Sequence, residues 1–76
     1  MEIIPVVSST IKAMGYDEET EHIKSRLTVI FNSGTRYTYY DVPRDLWKRF
    51  KEAESAGQFF VRHIKGIFDY QKSGRS

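Results

Sequence analysis

Two strand-prone runs, "RLTVIF" (26–31) and "TRYTYY" (35–40), are separated only by "NSG", Asn32 to Gly34. A three-residue loop ending in glycine suits a β-hairpin, because glycine readily takes the left-handed backbone position that closes the turn. Loop length then fixes the register. Phe31 opposes Thr35, Val29 opposes Tyr37 and Leu27 opposes Tyr39; Ile30 opposes Arg36, Thr28 opposes Thr38 and Arg26 opposes Tyr40. Side chains alternate across a strand, so the first set forms a strongly apolar face and the second a polar, basic and partly aromatic one. Such a hairpin needs a cover on one face.

The cover is encoded downstream. In "VPRDLWKRFKEAE" Pro43 is pre-organised for the first helical position, and Leu46, Trp47, Phe50 and Ala53 recur on one helical face. Asp45 and Arg49 form an i,i+4 pair in the favoured order. "SAGQFFVRHIKG" reads as a second helix, with Ser55 and Gln58 as a capping box and Gly66 as its stop. Its buried positions are Phe59, Phe60 and Ile64, and Arg62, His63 and Lys65 suit the dipole in its last turns. Upstream, Ser8, Ser9 and Thr10 mark a turn before a strand over about 11–16, in which Ile11, Ala13 and Gly15 alternate with Lys12, Met14 and Tyr16. The short piece "IFDY" (67–70) is a candidate for return to the sheet edge.

The expected architecture is therefore α+β: a small antiparallel sheet of about three strands, with its hairpin at 26–40 and two C-terminal helices packed on one face. The expected core comprises Leu27, Val29, Phe31, Tyr37, Tyr39, Trp47, Phe50, Phe60 and Ile64. A single domain spans residues 1–70, and residues 71–76, ending in "KSGRS", read as a flexible tail.

Composition narrows the functional classes. Among 76 residues there is no cysteine, which removes disulfides and thiolate metal sites. No apolar run approaches the roughly 20 residues of a membrane span, and "MEIIPVVSST" lacks the pattern of a signal peptide, so a soluble, cytoplasmic protein is expected. The net charge of +2 is unevenly spread: residues 1–38 hold four Lys/Arg and five Asp/Glu, and residues 39–76 hold eight and five. The acids concentrate in "DEETE" (17–21), and the remaining surface is basic, which favours an anionic partner.

Several short motifs occur together in a distinctive order. They are "SST" followed by Ile11, "GYD" at Gly15 to Asp17, the strand ending "FNSG", and the central Tyr-x-Tyr of "YTY" followed by "DVP". Ala53, Ser55 and Gly57, the pair Phe59 and Phe60, Ile64, and the closing Phe68 and Tyr70 complete the series. Over about Val7 to Tyr70 the chain resembles the KTSC domain, named for its place at the C-terminus of some lysyl-tRNA synthetases and also found alone in bacterial and phage proteins. The resemblance implies an RNA-binding role through that synthetase context and assigns no catalytic activity. Two features depart from the family pattern: the long connection "EETEHIKSR", and Val61, where a polar residue commonly follows the aromatic pair.

The residues themselves offer no catalytic constellation. His22 and His63 lack a supporting ligand pattern, Ser8, Ser9 and Ser55 lack a partner histidine, and the glycines are too dispersed for a phosphate loop. No enzyme activity and no small-molecule cofactor are expected. Binding of single-stranded nucleic acid needs cations along the phosphates and planar groups against the bases. Candidate residues are Arg26, Arg36 and Tyr40 on the polar hairpin face, with Tyr40 as the stacking ring and Lys12 as a neighbour. Lys48 belongs to a helical stripe with Arg44 and Lys51, and Arg62 and Lys65 form a shorter one. The partner so implied is RNA, tRNA included. The alternative is a protein-interaction module, such as a phage-type regulator docking on a host machine like RNA polymerase, using outward Ile30 and Tyr40, an exposed edge strand and the acidic loop.

Overall fold

A computed structural model of the protein describes residues 2–74. In chain order the elements are β1 (Glu2–Pro5), β2 (Ile11–Asp17), β3 (Arg26–Phe31), β4 (Thr35–Tyr40), α1 (Arg44–Glu52), α2 (Ala56–His63) and β5 (Tyr70–Gly74). The central hairpin has the register that its loop length requires: Leu27 opposes Tyr39, Val29 opposes Tyr37, and Arg26 opposes Tyr40. Gly34 closes the loop at φ +95°, where a side chain is strained.

The sheet has five antiparallel strands in the order β1-β2-β3-β4-β5, which corrects the expectation of about three. Both additional strands lie at edges, where the usual sequence signals are weakest. Glu2 to Pro5 is short and contains a proline, which an edge strand tolerates because a missing N–H there breaks no central ladder. Tyr70 to Gly74 is mostly polar, as an exposed edge is, yet it pairs with β4 from Tyr39 opposite Tyr70 to Thr35 opposite Gly74. Residues 71–74, expected as tail, are therefore strand, and "IFDY" contributes only Tyr70 to it. Residues 75–76 of the expected tail lie outside the described residues.

A second correction concerns the phase of β2. The pairing with β3 shifts between Ile11 and Ala13, so Lys12 is the extra residue of a β-bulge. Simple alternation would align Ile11 with Ala13 and Gly15. The bulge instead aligns Ile11, opposite Phe31, with Met14, opposite Val29, and Tyr16, opposite Leu27. Ile11 and Met14 are accordingly buried, and Lys12 is exposed.

The two helices cover the face bearing Leu27, Val29 and Tyr39, burying Trp47 and Phe50 from α1 and Ala56 and Phe60 from α2. Ile64, just beyond α2, and Val42, just before α1, complete this core. Phe31 and Tyr37 are partly buried against it. Tyr16 stacks on Trp47 with centroids 5.5 Å apart and donates its hydroxyl to the Val42 carbonyl at 2.7 Å. Ser25 donates to the same carbonyl at 2.7 Å, and its own carbonyl accepts from the Asp41 amide. These bonds hold the corner into α1, where Asp41 lies at φ +60°. Pro43 is the residue just before the helix, and its carbonyl accepts from the Leu46 and Trp47 amides. Ser55 caps α2 by accepting from the Gln58 amide at 3.3 Å, and the left-handed Gly66 (φ +78°) follows its end. Arg49, expected beside Asp45, lies over the Phe59 ring at 5.8 Å.

Phe50 is fully buried, at 0% exposure, between the helices and the sheet. Phe50→Ala should therefore cost about 3–5 kcal/mol, read as a lowered midpoint in chemical denaturation, whereas Lys12→Ala on the bulge should stay within about 0.5 kcal/mol of the parent.

Candidate functional site

The six sequence-derived binding residues do not form one surface. Arg26, Arg36 and Tyr40 lie on the sheet face opposite the helices, Lys48 is on the exposed side of α1, and Arg62 and Lys65 are at α2. Arg26 opposes Tyr40 at one end of the hairpin and Arg36 opposes Ile30 nearer the other, four residues along β3. That separation is about 13 Å. Arg26 Nη2 is bound to Asp17 Oδ2 at 3.2 Å, and the Tyr40 hydroxyl donates to Gln71 Oε1 at 2.9 Å. Both groups thus already have partners within the sheet. The α1 stripe is similarly divided, with Arg44 paired to Glu18 at 2.9 Å and Lys51 over the Trp47 ring at 5.3 Å.

A groove of about 830 Å³ runs between α2 and the β4–β5 side of the sheet, and of the six residues only Arg62 and Lys65 line it. Its floor is a network of aromatic rings. Phe31 meets Tyr37 and Phe60 edge-on, each at 5.3 Å, Tyr39 meets Phe60 at 5.6 Å, and Tyr70 lies 5.6 Å from Tyr37 and 5.5 Å from Tyr39. These contacts answer what the tyrosine run does. Its covered-face members complete the core with one side of their rings and floor the groove with another. Tyr39 is only 3% exposed, and Tyr70 at the rim is 56% exposed, so Tyr70 is the ring most open to a planar ligand.

One end of the groove is a turn built by "SST". The Ser8 hydroxyl oxygen accepts from the Thr10 amide at 3.1 Å and the Ile11 amide at 3.3 Å, while the Ser8 carbonyl accepts from Asn32 Nδ2 at 3.2 Å. The Asn32 amide in turn donates to the Thr10 carbonyl, tying this turn to the hairpin loop. Gly57 in the first turn of α2 faces it: a Cβ there would stand 3.7 Å from Thr10 Cβ. Val61, which follows the aromatic pair Phe59 and Phe60, is 59% exposed on the groove wall and gives that stretch an apolar surface.

The charge of the groove is one-sided, since the residues lining it include Arg62 and Lys65 but no aspartate or glutamate. A smaller cavity, about 530 Å³ beside Tyr16, Ser25 and Val42, has the opposite character because Glu18, Glu19 and Asp41 line it. There the Tyr16 and Ser25 protons are already committed to the Val42 carbonyl. Among the described residues no group of three or more His, Asp or Glu is placed to hold a metal ion, and no helix is long and apolar enough to cross a membrane.

Sequence reasoning overlooked Ser8, Ser9, Thr10, Gly57 and Tyr70 as lining residues. The available signal was the motif series itself: "SST", the Tyr-x-Tyr pair, Ser55, Gly57, Phe60 and Tyr70 are dispersed in sequence and converge on this one groove.

Comparison with known proteins places these motifs in a family context. The KTSC domain family model matches residues 7–68. A lysine–tRNA ligase of Nostoc sp. is 39% identical over 64 residues, which are 84% of this chain and 11% of the ligase, so the chain spans about a ninth of that relative. A protein of Tsukamurella paurometabola is 40% identical over 64 residues that cover 90% of its own length. The crystal structure of a KTSC domain protein from Yersinia pestis superposes with a TM-score of 0.85 at 36% identity, covering 96% of this chain and 97% of that one.

Burial, with the neighbouring Tyr37 and Tyr70 phenols adding to it, pushes the Tyr39 hydroxyl from its ordinary 10.0 up to about 12. Its proton is retained in the fold after an unfolded chain would lose it. This titration should therefore leave stability unchanged below about pH 10 and lower it progressively as pH rises toward 12. Tyrosinate absorbance combined with denaturation midpoints across that range would test this, and Tyr39→Phe should flatten the dependence.

Proposed function

The chain belongs to the KTSC domain family, and from that premise we propose that it is a non-catalytic binding module that takes single-stranded RNA in the groove beside α2. The observation that carries this reading is an aromatic floor beside two cations, with no carboxylate among the lining residues. Unpaired nucleotides need planar surfaces for bases and positive charge for phosphates, and both lie here within one concave site. Tyr70 is the stacking ring of this proposal, replacing Tyr40, whose hydroxyl is held by Gln71. Arg62 and Lys65 make the phosphate contacts. The similarity to a segment of a lysine–tRNA ligase supports RNA, and tRNA in particular, as the partner class.

The non-catalytic part of the proposal is supported by how the groove hydroxyls are used. Ser8 and Ser55 accept from backbone amides as a turn residue and a helix cap, neither of which activates a nucleophile. The uncovered sheet face favours a second reading, docking of a protein such as a host polymerase subunit. There Ile3, 45% exposed, lies on the β1 edge strand, and the partly exposed Ala13 and Ile30 pair with each other in the adjoining β2 and β3.

Salt dependence separates the two readings. Fluorescence anisotropy with tRNA and with a short oligouridylate should show binding that weakens steeply with added salt. The Arg62→Ala/Lys65→Ala double variant should bind more weakly, with a logarithmic salt slope shallower by about 1.4, roughly 0.7 for each single-strand phosphate contact removed. Absence of binding to either RNA at low salt would sink the proposal. Loss of binding in Arg36→Ala but not in the double variant would move the site to the uncovered face.

A further inference from the structure

Tyr39 combines two properties that rarely occur together. The residue is 3% exposed, yet its hydroxyl, which has no hydrogen-bond partner among the described residues, is not one of the buried unpartnered atoms and so stays in contact with solvent. A phenol whose ring is packed in the core and whose hydroxyl meets solvent presents a fixed donor to whatever occupies that solvent. Tyr39 also lines the groove, with Tyr37 and Tyr70 beside it. The hydroxyl is therefore available to an acceptor that enters the groove from outside.

The surroundings define that acceptor's charge. Arg62 and Lys65 line the same groove, and no aspartate or glutamate does. An anionic oxygen gains from both cations and from a phenol donor, and charge-assisted hydrogen bonds of this kind are stronger than neutral ones. A neutral acceptor would leave the cations unused. The phenol remains a donor throughout the physiological range, since burial holds its ionisation far above neutrality.

We infer that the Tyr39 hydroxyl donates to a phosphate oxygen of the single-stranded RNA in the groove, between the Tyr37 and Tyr70 rings and the cations Arg62 and Lys65. This assignment rests on the RNA-binding reading and adds a specific anchor to it. A covered-face core tyrosine then has two roles in one side chain: the ring fills the core, and the hydroxyl marks where the strand's backbone enters. A phenol that serves only packing predicts no loss when the hydroxyl is removed.

Tyr39→Phe separates these roles, because it keeps the ring and deletes the donor. In the full chain it should retain the parent's amide spectrum and thermal midpoint. It should bind short oligouridylate about tenfold more weakly, as expected for a lost hydrogen bond to a charged group. Comparing probes with a 5′-phosphate and a 5′-hydroxyl identifies the source of the oxygen. Equal losses indicate an internal phosphodiester, and a loss confined to the first indicates a terminal monoester. Unchanged affinity in Tyr39→Phe, while the Arg62→Ala/Lys65→Ala variant binds weakly, would overturn the anchor and leave the RNA reading standing. If the parent binds neither probe, both readings fall. Should Tyr39→Phe not fold, the parent's hydroxyl-bearing ring carbon of Tyr39 can be followed by NMR. A shift on adding RNA, with slowed hydroxyl exchange, supports the anchor, and an unmoved signal overturns it.

Discussion

The hairpin register set at Gly34 is the constraint on which the other elements depend. A loop longer or shorter by one residue would turn Tyr37 and Tyr39 away from Leu27 and Val29, since side chains alternate with period two. The helices would then have no apolar face to cover, and β5 would have no ring to place Tyr70 against. A chain this small has few alternative ways to bury enough surface. Its core is accordingly made from large rings meeting at angles, and the groove is where that ring network reaches solvent.

Legibility in the sequence followed the strength of local signals. The central hairpin could be read because glycine, loop length and alternating apolar residues agree. The helices could be read because Pro43, Ser55 and Gly66 mark their ends and the apolar spacing fills the interval. The two edge strands escaped because edge pairing places little demand on composition: Glu2 to Pro5 carries a proline and Tyr70 to Gly74 is polar. The phase of β2 was misread for a different reason. A bulge at Lys12 is a property of two strands together and leaves little trace in one.

The site was less legible than the fold. Charge can be counted along a sequence, but its availability depends on partners far away. Arg26 and Arg44 looked equivalent to Arg62 until Asp17 and Glu18 proved to lie beside them. Tyr40 was singled out for facing away from the helices, a correct reading of its direction that missed Gln71 across the edge. The groove needed contributions from the first turn, the hairpin, the second helix and the last strand. No local pattern joins those four segments, although the motif series read along the sequence includes residues from each.

The strand order also bears on how the chain reaches this structure. Each strand pairs with its neighbours in chain order, without a crossover. Pairing can therefore spread outward from the central hairpin by closing short loops, whose entropic cost is small. The connection from β4 to β5 is the exception, because it contains both helices. The groove, bounded by the last strand and the second helix, is thus completed by the longest loop closure in the sheet, a step that this topology favours after the centre is assembled.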